Sequence, residues 1–427
     1  MTTTTDLLAR RTRALGSGAP LFYEQPLHIV RGDGVYLYDA DGRRYVDMYN
    51  NVPCVGHANP RVVEAMARQQ ATLNVHSRYL HETVVTFCER LAALHGSQIE
   101  SVIVSCSGTE ANEVALRMAR FATGKRGLIC TDATYHGNSE LVGSLTRLGQ
   151  KPSSNPSVRA IPFPEKFRPI VAGLREDELC EAYLEKLAAT IVDLQASGEG
   201  VAAIIVCSIL ANEGLPDIPA GFMARAASMV REAGGLVIAD EVQAGYVRTG
   251  QWWGYDVTGF IPDIVVTGKP MGNGLPLAAT AASQALVETF RANTRYFNTS
   301  ASSPLQAAVG LAVLDEIEDR GLAGNVATVG AALKASLTYR RGASNVIGDV
   351  RGHGLFLGVE MVKPEGYAPD LDLAKQVINR LKDKGFLTSN AGVFANVVKI
   401  RPPLMFSSED AAAFLIAWDE TIAELAV

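Results

Sequence analysis

The 427-residue chain lacks several features that would each have pointed to a function class. No apolar run approaches the roughly 18 to 20 residues that a membrane span requires, so no membrane partner is expected. No lysine- or arginine-rich stripe is visible, and acids outnumber bases, 45 to 39. That balance argues against a nucleic-acid partner. The six cysteines, Cys54, Cys88, Cys106, Cys130, Cys180 and Cys207, are scattered with no C-x-x-C pair. They read as free thiols in a reducing compartment rather than as a disulfide framework or a metal site. No internal repeat or low-complexity block occurs. The N-terminus, with four threonines and Asp6, has no apolar secretory core behind it. A cytoplasmic location is the expectation.

What is present is an ordinary globular composition, 48% hydrophobic and 20% charged. The length favours two linked domains. Gly32-Asp33-Gly34 before Val35–Tyr38, and Asp41-Gly42 before Tyr45–Met48, are β-hairpin signals. From about Pro60 to Arg320 short β-branched runs alternate with helical stretches: 102–104, 203–206, 236–239 and 264–266. Such alternation predicts a parallel sheet covered by helices on both faces, with ligands beyond the carboxyl ends of the strands. The segment 147–169, rich in Ser, Pro and Lys, reads as a long surface loop. A smaller unit follows from about Gly321, with a helix near 372–384 and a strand near 397–400.

Three short segments follow these strands and carry chemistry. Ser107-Gly108-Thr109-Glu110-Ala111-Asn112 opens a helix whose apolar positions 111, 114, 115, 118 and 122 share one face. Its free first-turn amides, with Gly108 allowing close approach and Thr109 adding a hydroxyl, suit a phosphate. An ordinary helix cap explains the same residues equally well. Asp240-Glu241-Val242-Gln243 follows the apolar run 236–239. Asp240 suits the pyridine nitrogen of a pyridoxal cofactor, with Val242 on the ring face and Gln243 at the phenolic oxygen. A solvated acidic turn or a metal site is the alternative. Lys269, between Gly268 and Pro270-Met271-Gly272, sits in a loop too crowded with Gly and Pro for a casual surface lysine. An apolar or cationic neighbourhood would make its amine a nucleophile.

Their order and spacing, together with Tyr135-His136-Gly137, the stretch 239–250 (ADEVQAGYVRTG), the stretch 268–279 (GKPMGNGLPLAA) and the stretch 297–304 (FNTSASSP), resemble the class III, fold-type I pyridoxal 5′-phosphate enzymes. The likeness runs from Gly34 to Leu404. It implies an α/β fold-type I transferase with a large domain, built on a mainly parallel seven-stranded sheet flanked by helices, and a smaller α+β domain. The corresponding division is 1–60 as a hairpin segment joined to the small domain, 61–320 as the cofactor domain and 321–427 as the rest of the small domain.

The resemblance also implies roles. Lys269 carries pyridoxal 5′-phosphate as a Schiff base and moves protons, and Asp240 pairs with the ring nitrogen. Tyr135 stacks on the ring with His136 beside it. Ser107, Gly108 and Thr109 hold the phosphate, and Thr299 reaches the phosphate of a neighbouring subunit. The enzyme is then a homodimer, or a tetramer built from such dimers. No metal is implied.

Two features narrow the reaction. Asn50-Asn51 and the stretch Asn74–His81, with Arg78-Tyr79-Leu80-His81 at its end, are similar to the ethanolamine-phosphate phospho-lyase branch, which places Arg78 and Tyr79 at the substrate entrance. His57 and His76 read as structural histidines. Val398-Lys399-Ile400-Arg401-Pro402-Pro403 matches the segment whose arginine, here Arg401, binds a substrate carboxylate or phosphate. The glutamate that pairs with this arginine in relatives is replaced by Cys207 or Ser208, with Glu213 as a substitute. The substrate expected is a phosphorylated amine. The leading expectation is phosphate elimination from O-phosphoethanolamine or a related amine, giving aldehyde and ammonia. The alternative is an ω-aminotransferase that passes an amino group from an amine to pyruvate or 2-oxoglutarate. A catalytically inert scaffold is opposed by the presence of Lys269, Asp240 and Gln243.

Overall fold

The computed structural model describes residues 4–147 and 154–425. Near the N-terminus β1 (Ile29–Asp33), β2 (Tyr36–Asp39) and β3 (Arg44–Asp47) form an antiparallel meander, as the turn residues predict.

The central sheet contains β4 (Ser101–Ser105), β5 (Gly127–Thr131), β6 (Val158–Ile161), β7 (Val201–Cys207), β8 (Leu236–Asp240), β9 (Ile264–Thr267) and β10 (Ala278–Ala282). Its spatial order is β4-β10-β9-β8-β7-β5-β6. The pairs from β9 through β6 are parallel, and β10 runs antiparallel to both of its neighbours. All seven residues of β7 and all four of β9 are buried. Burial on both faces explains why these strands read as continuous apolar runs rather than alternating ones.

Strand β6 corrects the expectation of a surface loop over 147–169. Residues 148–153 lie outside the described residues, but Val158 and Ile161 are buried and pair in parallel with β5 at the sheet edge. Four residues with two apolar positions were too weak a signal beside the surrounding Pro and Ser. The helix Gly108–Thr123 buries Ala111, Val114, Ala115 and Met118 as expected, whereas Ala122 in its last turn is exposed.

The C-terminal part supplies β11 (Ile347–His353), β12 (Phe356–Met361), β13 (Phe386–Leu387), β14 (Ser389–Ala391) and β15 (Val397–Ile400). A third sheet has the order β11-β12-β15-β14. Strand β13 instead joins β3, so the two ends of the chain share a sheet. The predicted helix near 372–384 is Leu371–Asp383, with Asp370 capping it through Leu373 N at 3.0 Å.

Candidate active site

The carboxyl ends of β4, β5, β7, β8 and β9 open on one cavity. Its wall is made by Gly108, Thr109, Tyr135, His136, Gly137, Cys207, Asn212, Asp240, Val242, Gln243 and Lys269. Parallel strands point their ends, and the loops that follow, to the same side, so residues far apart in sequence meet there.

Asp240 ends β8 and is buried. Its Oδ2 accepts from Asn112 Nδ2 at 3.0 Å and lies 2.6 Å from His136 Nδ1; its Oδ1 accepts from Val242 N at 3.0 Å. Burial alone would raise its pKa. The His136 contact, with Asn112 and the Val242 amide, outweighs burial and holds the carboxyl below its usual range. His136 Nε2 lies 2.9 Å from Thr134 Oγ1, so both ring nitrogens are engaged. The adjacent Glu241 points elsewhere. It accepts from Ser208 Oγ (2.5 Å), Gly254 N (2.8 Å) and Tyr255 N (3.0 Å), and burial pushes its pKa up to about 7. Of the two acids, Asp240 alone lines the cavity.

Lys269 begins a single 3₁₀ turn, Lys269–Gly272, directly after β9. Its φ of +21° lies in a sparsely populated region, the kind of backbone held only by surrounding structure. The side chain stands exposed in the open cavity. Protein packed around it and the charge of Arg401 lower its pKa, against a smaller opposing pull from Asp240.

Ser107 caps the helix Gly108–Thr123, its hydroxyl accepting from Glu110 N at 3.2 Å. The cap and the phosphate seat are therefore compatible, because Ser107 serves a later amide and leaves those of Gly108 and Thr109 at the cavity. A Cβ on Gly108 would lie 3.0 Å from Val242 Cγ2, and one on Gly137 only 2.5 Å from Thr109 Oγ1. Glycine at these positions keeps the floor open. Tyr135 presents its ring to the cavity and donates its hydroxyl to Asn138 Oδ1 at 3.1 Å.

Arg401 follows β15 and is buried. It donates to Gln243 Oε1 at 2.5 Å and to the Tyr49 carbonyl at 2.8 and 3.0 Å. Gln243 in turn donates to Asn212 Oδ1 (3.1 Å), and Asn212 to the Tyr135 carbonyl (3.2 Å). The Gln243 amide, expected at a phenolic oxygen, is thus also the link between Arg401 and the cavity wall. Among the described residues no carboxylate lies within ion-pair distance of Arg401, and burial lowers its pKa to about 10. Glu213 does not substitute for the missing glutamate. Its Oε1 accepts from Thr131 Oγ1 at 2.5 Å, its Oε2 has no partner among the described residues, and burial raises its pKa. Cys207 lines the cavity wall, while Ser208 is tied to Glu241.

The remaining expected residues are not brought to this cavity within one chain. Arg78 and Tyr79 are exposed. The Arg78 guanidinium lies 4.1 Å from the Phe297 ring centroid, and Tyr79 stacks on His76. Thr299 is exposed in the same neighbourhood of the chain as Phe297. His57 has a structural contact, its Nε2 being 2.8 Å from Asp47 Oδ2. Sequence reasoning missed Asn112, Asn212 and Lys399. The first two carry no signal beyond their motifs. Lys399 does, as a lysine two residues before Arg401 on a strand.

The cavity's chemistry fits a phosphorylated pyridine aldehyde. An anionic carboxylate is fixed for a protonated ring nitrogen, free helix amides and glycines receive a phosphate, and an amine of lowered pKa meets the carbonyl. Comparisons agree with that fit. The model of the family described as aminotransferase class-III matches residues 22–422. A Drosophila melanogaster protein named alanine–glyoxylate aminotransferase 2-like is 35% identical, across 98% of this chain and 87% of its own length. A Caenorhabditis elegans protein named ethanolamine-phosphate phospho-lyase homolog 1 is 33% identical, across 98% and 93%. The structure of a phospholyase from Arthrobacter in complex with phosphoethanolamine superposes with a TM-score of 0.95 at 40% identity, covering 98% of this chain and 99% of that one. With the matched span running through the helix at Gly108, the lysine loop and the arginine strand, the chain belongs to the class III aminotransferases, fold-type I enzymes whose cofactor is pyridoxal 5′-phosphate.

Proposed function

We propose that the protein is a phospho-lyase that eliminates phosphate from O-phosphoethanolamine or a closely related phosphorylated amine, giving aldehyde, ammonia and phosphate. The observation that carries this reading is Arg401. It is buried behind Gln243, which lines the cavity, and is held by Gln243 and the Tyr49 carbonyl, with no carboxylate partner among the described residues. An aminotransferase that alternates between a charged and an uncharged substrate end needs a switchable partner for such a cation. A permanently anionic substrate does not, and a guanidinium fork matches phosphate oxygens. The phosphoethanolamine in the Arthrobacter relative supports the same substrate class.

Pyridoxal 5′-phosphate, when bound, supplies an electron sink for the carbon that bears the substrate nitrogen. The residues of this chain do the rest. Lys269 Nζ would hold the cofactor covalently and, once the substrate amine has displaced it, would be free to take the proton from that carbon. Asp240, kept anionic by His136, Asn112 and the Val242 amide, would hold a proton on the ring nitrogen. Gly108, Thr109 and the first-turn amides hold the cofactor phosphate, and Tyr135 and Val242 confine the ring. Arg401 faces the substrate's anionic end and stabilises the leaving phosphate.

Incubating the holoenzyme with O-phosphoethanolamine and no keto acid tests this. Free phosphate and ammonia in equal amounts are expected. Turnover that requires pyruvate or 2-oxoglutarate and releases no phosphate would leave the ω-aminotransferase reading, which the alanine–glyoxylate aminotransferase relative favours. The exposed positions of Thr299, Arg78 and Tyr79, outside their own chain's cavity, support a homodimer in which they serve the neighbouring site. The thiol pattern supports a cytoplasmic location.

A further inference from the structure

Arg401 is not the only basic group on its side of the cavity. Lys399 precedes it by two residues, and alternation along an extended strand puts both side chains on one face. Directly across from Lys399, at the paired position of β12, is Gly358. A Cβ on Gly358 would lie 2.8 Å from Val397 Cγ1, 3.4 Å from the Gly214 carbonyl and 3.4 Å from Leu215 Cδ1. This face of the small sheet therefore packs on the segment 207–215, whose Cys207 and Asn212 line the cavity. Glycine at this position lets the Val397 side chain and the segment 214–215 pack beside Lys399 without overlap.

Lys399 is 8% exposed, and among the described residues its amine has neither a hydrogen bond nor an ion pair. The charged or titratable groups that face it are Arg401, Lys269, Cys207 and Glu213. Glu213 stays beyond ion-pair distance, its Oε1 taken by Thr131. Arg401 regains part of its lost hydration through Gln243 and the Tyr49 carbonyl, but a buried ammonium with neither hydrogen bond nor counter-anion is costly, because it recovers none of its own. A ligand that brings the missing negative charge removes that cost. Phosphomonoesters carry about −1.5 to −2 near neutral pH, against −1 for a carboxylate.

We propose that Lys399 is a specificity-determining residue: beside Arg401 it gives the anion end of the site a second positive charge, which selects a phosphomonoester dianion over a carboxylate monoanion. The proposal rests on the phospho-lyase reading and extends it. Burial, Arg401 and Lys269 bring the pKa of Lys399 down to about 7. A dianion nearby favours its protonated form, so charge appears where the ligand needs it.

The test uses the holoenzyme as wild type, Lys399→Met and Lys399→Arg. Inorganic phosphate and acetate are titrated separately and followed by the cofactor's absorbance. In Lys399→Met, phosphate affinity should fall about tenfold or more, and acetate affinity less than about threefold. Lys399→Arg should restore most of the phosphate affinity. Lys399→Met should also melt no lower than wild type, because it removes an unpaired buried amine. Equal losses for phosphate and acetate, no loss for either, or a much lower melting temperature would overturn the proposal and make Lys399 structural. If Lys399→Met does not fold, Lys399→Gln replaces it, and failure of both neutral variants to give folded holoenzyme overturns the proposal as well. Phosphate release from O-phosphoethanolamine by wild type is read separately. Its absence rejects the lyase reading, while a phosphate preference that depends on Lys399 would still stand.

Discussion

At the scale of single residues the site rests on how two side chains are charged. Asp240 receives hydrogen bonds from Asn112 and the Val242 amide and contacts His136, while Glu241 beside it is occupied by Ser208, Gly254 and Tyr255. Glu241 is thus not free to replace its neighbour. Asp240→Ala should lower kcat by about a hundredfold or more, the usual scale for losing a preorganised charge, with the fold kept as judged by circular dichroism. Lys269 must be neutral to bond to a carbonyl. The protein packed around it and the charge of Arg401 lower its pKa, so a larger share of the amine is neutral at a given pH than for a free lysine. The rate at which the apo-protein takes up pyridoxal 5′-phosphate should therefore rise with pH and level off below the ordinary lysine value of about 10.4. In Arg401→Met that plateau should move to higher pH, because a charge that opposes protonation is gone. Stopped-flow absorbance across a pH series checks both, and borohydride reduction followed by peptide mapping should place the cofactor on Lys269.

Elements position these residues through the turns that end them. The helix starting at Gly108 and the loop at Gly137 approach so closely that Gly137 has no room for a side chain: its φ is +143°, and its Cβ would overlap Thr109. Gly137→Ala should displace Thr109 and weaken cofactor binding about tenfold or more, read as the pyridoxal 5′-phosphate concentration that half-restores activity to apo-protein. Thermal stability without cofactor should change less, since the clash lies against the cavity and not in the core. The elements themselves were largely legible. The β-branched runs became β4, β7, β8 and β9, and Val397–Ile400 became β15. Strand β6 was not legible, because a four-residue edge strand gains its burial from β5 and not from its own pattern.

For the whole molecule the open question is what covers Arg78, Tyr79, Phe297 and Thr299, all exposed in the single chain. In a homodimer with shared sites, mixing Lys269→Ala and Thr299→Ala chains should form some sites free of both lesions and recover part of the activity that each homodimer lacks. Size-exclusion chromatography with light scattering gives the stoichiometry, and no recovery in a verified heterodimer would remove Thr299 from the neighbouring site. The sequence by itself determined the chemistry on offer. A lysine among glycines, an acid after an apolar run and a Ser-Gly-Thr helix start each sit at a strand's carboxyl end, and local backbone rules are enough to put them there. Only the tertiary structure decided which polar groups meet. Arg401 pairs with Gln243 and Tyr49, not Glu213, and Lys399 is buried without a partner among the described residues. Such contacts join segments more than 150 residues apart, and their distances depend on how the small sheet packs against the cavity wall, which no local pattern encodes.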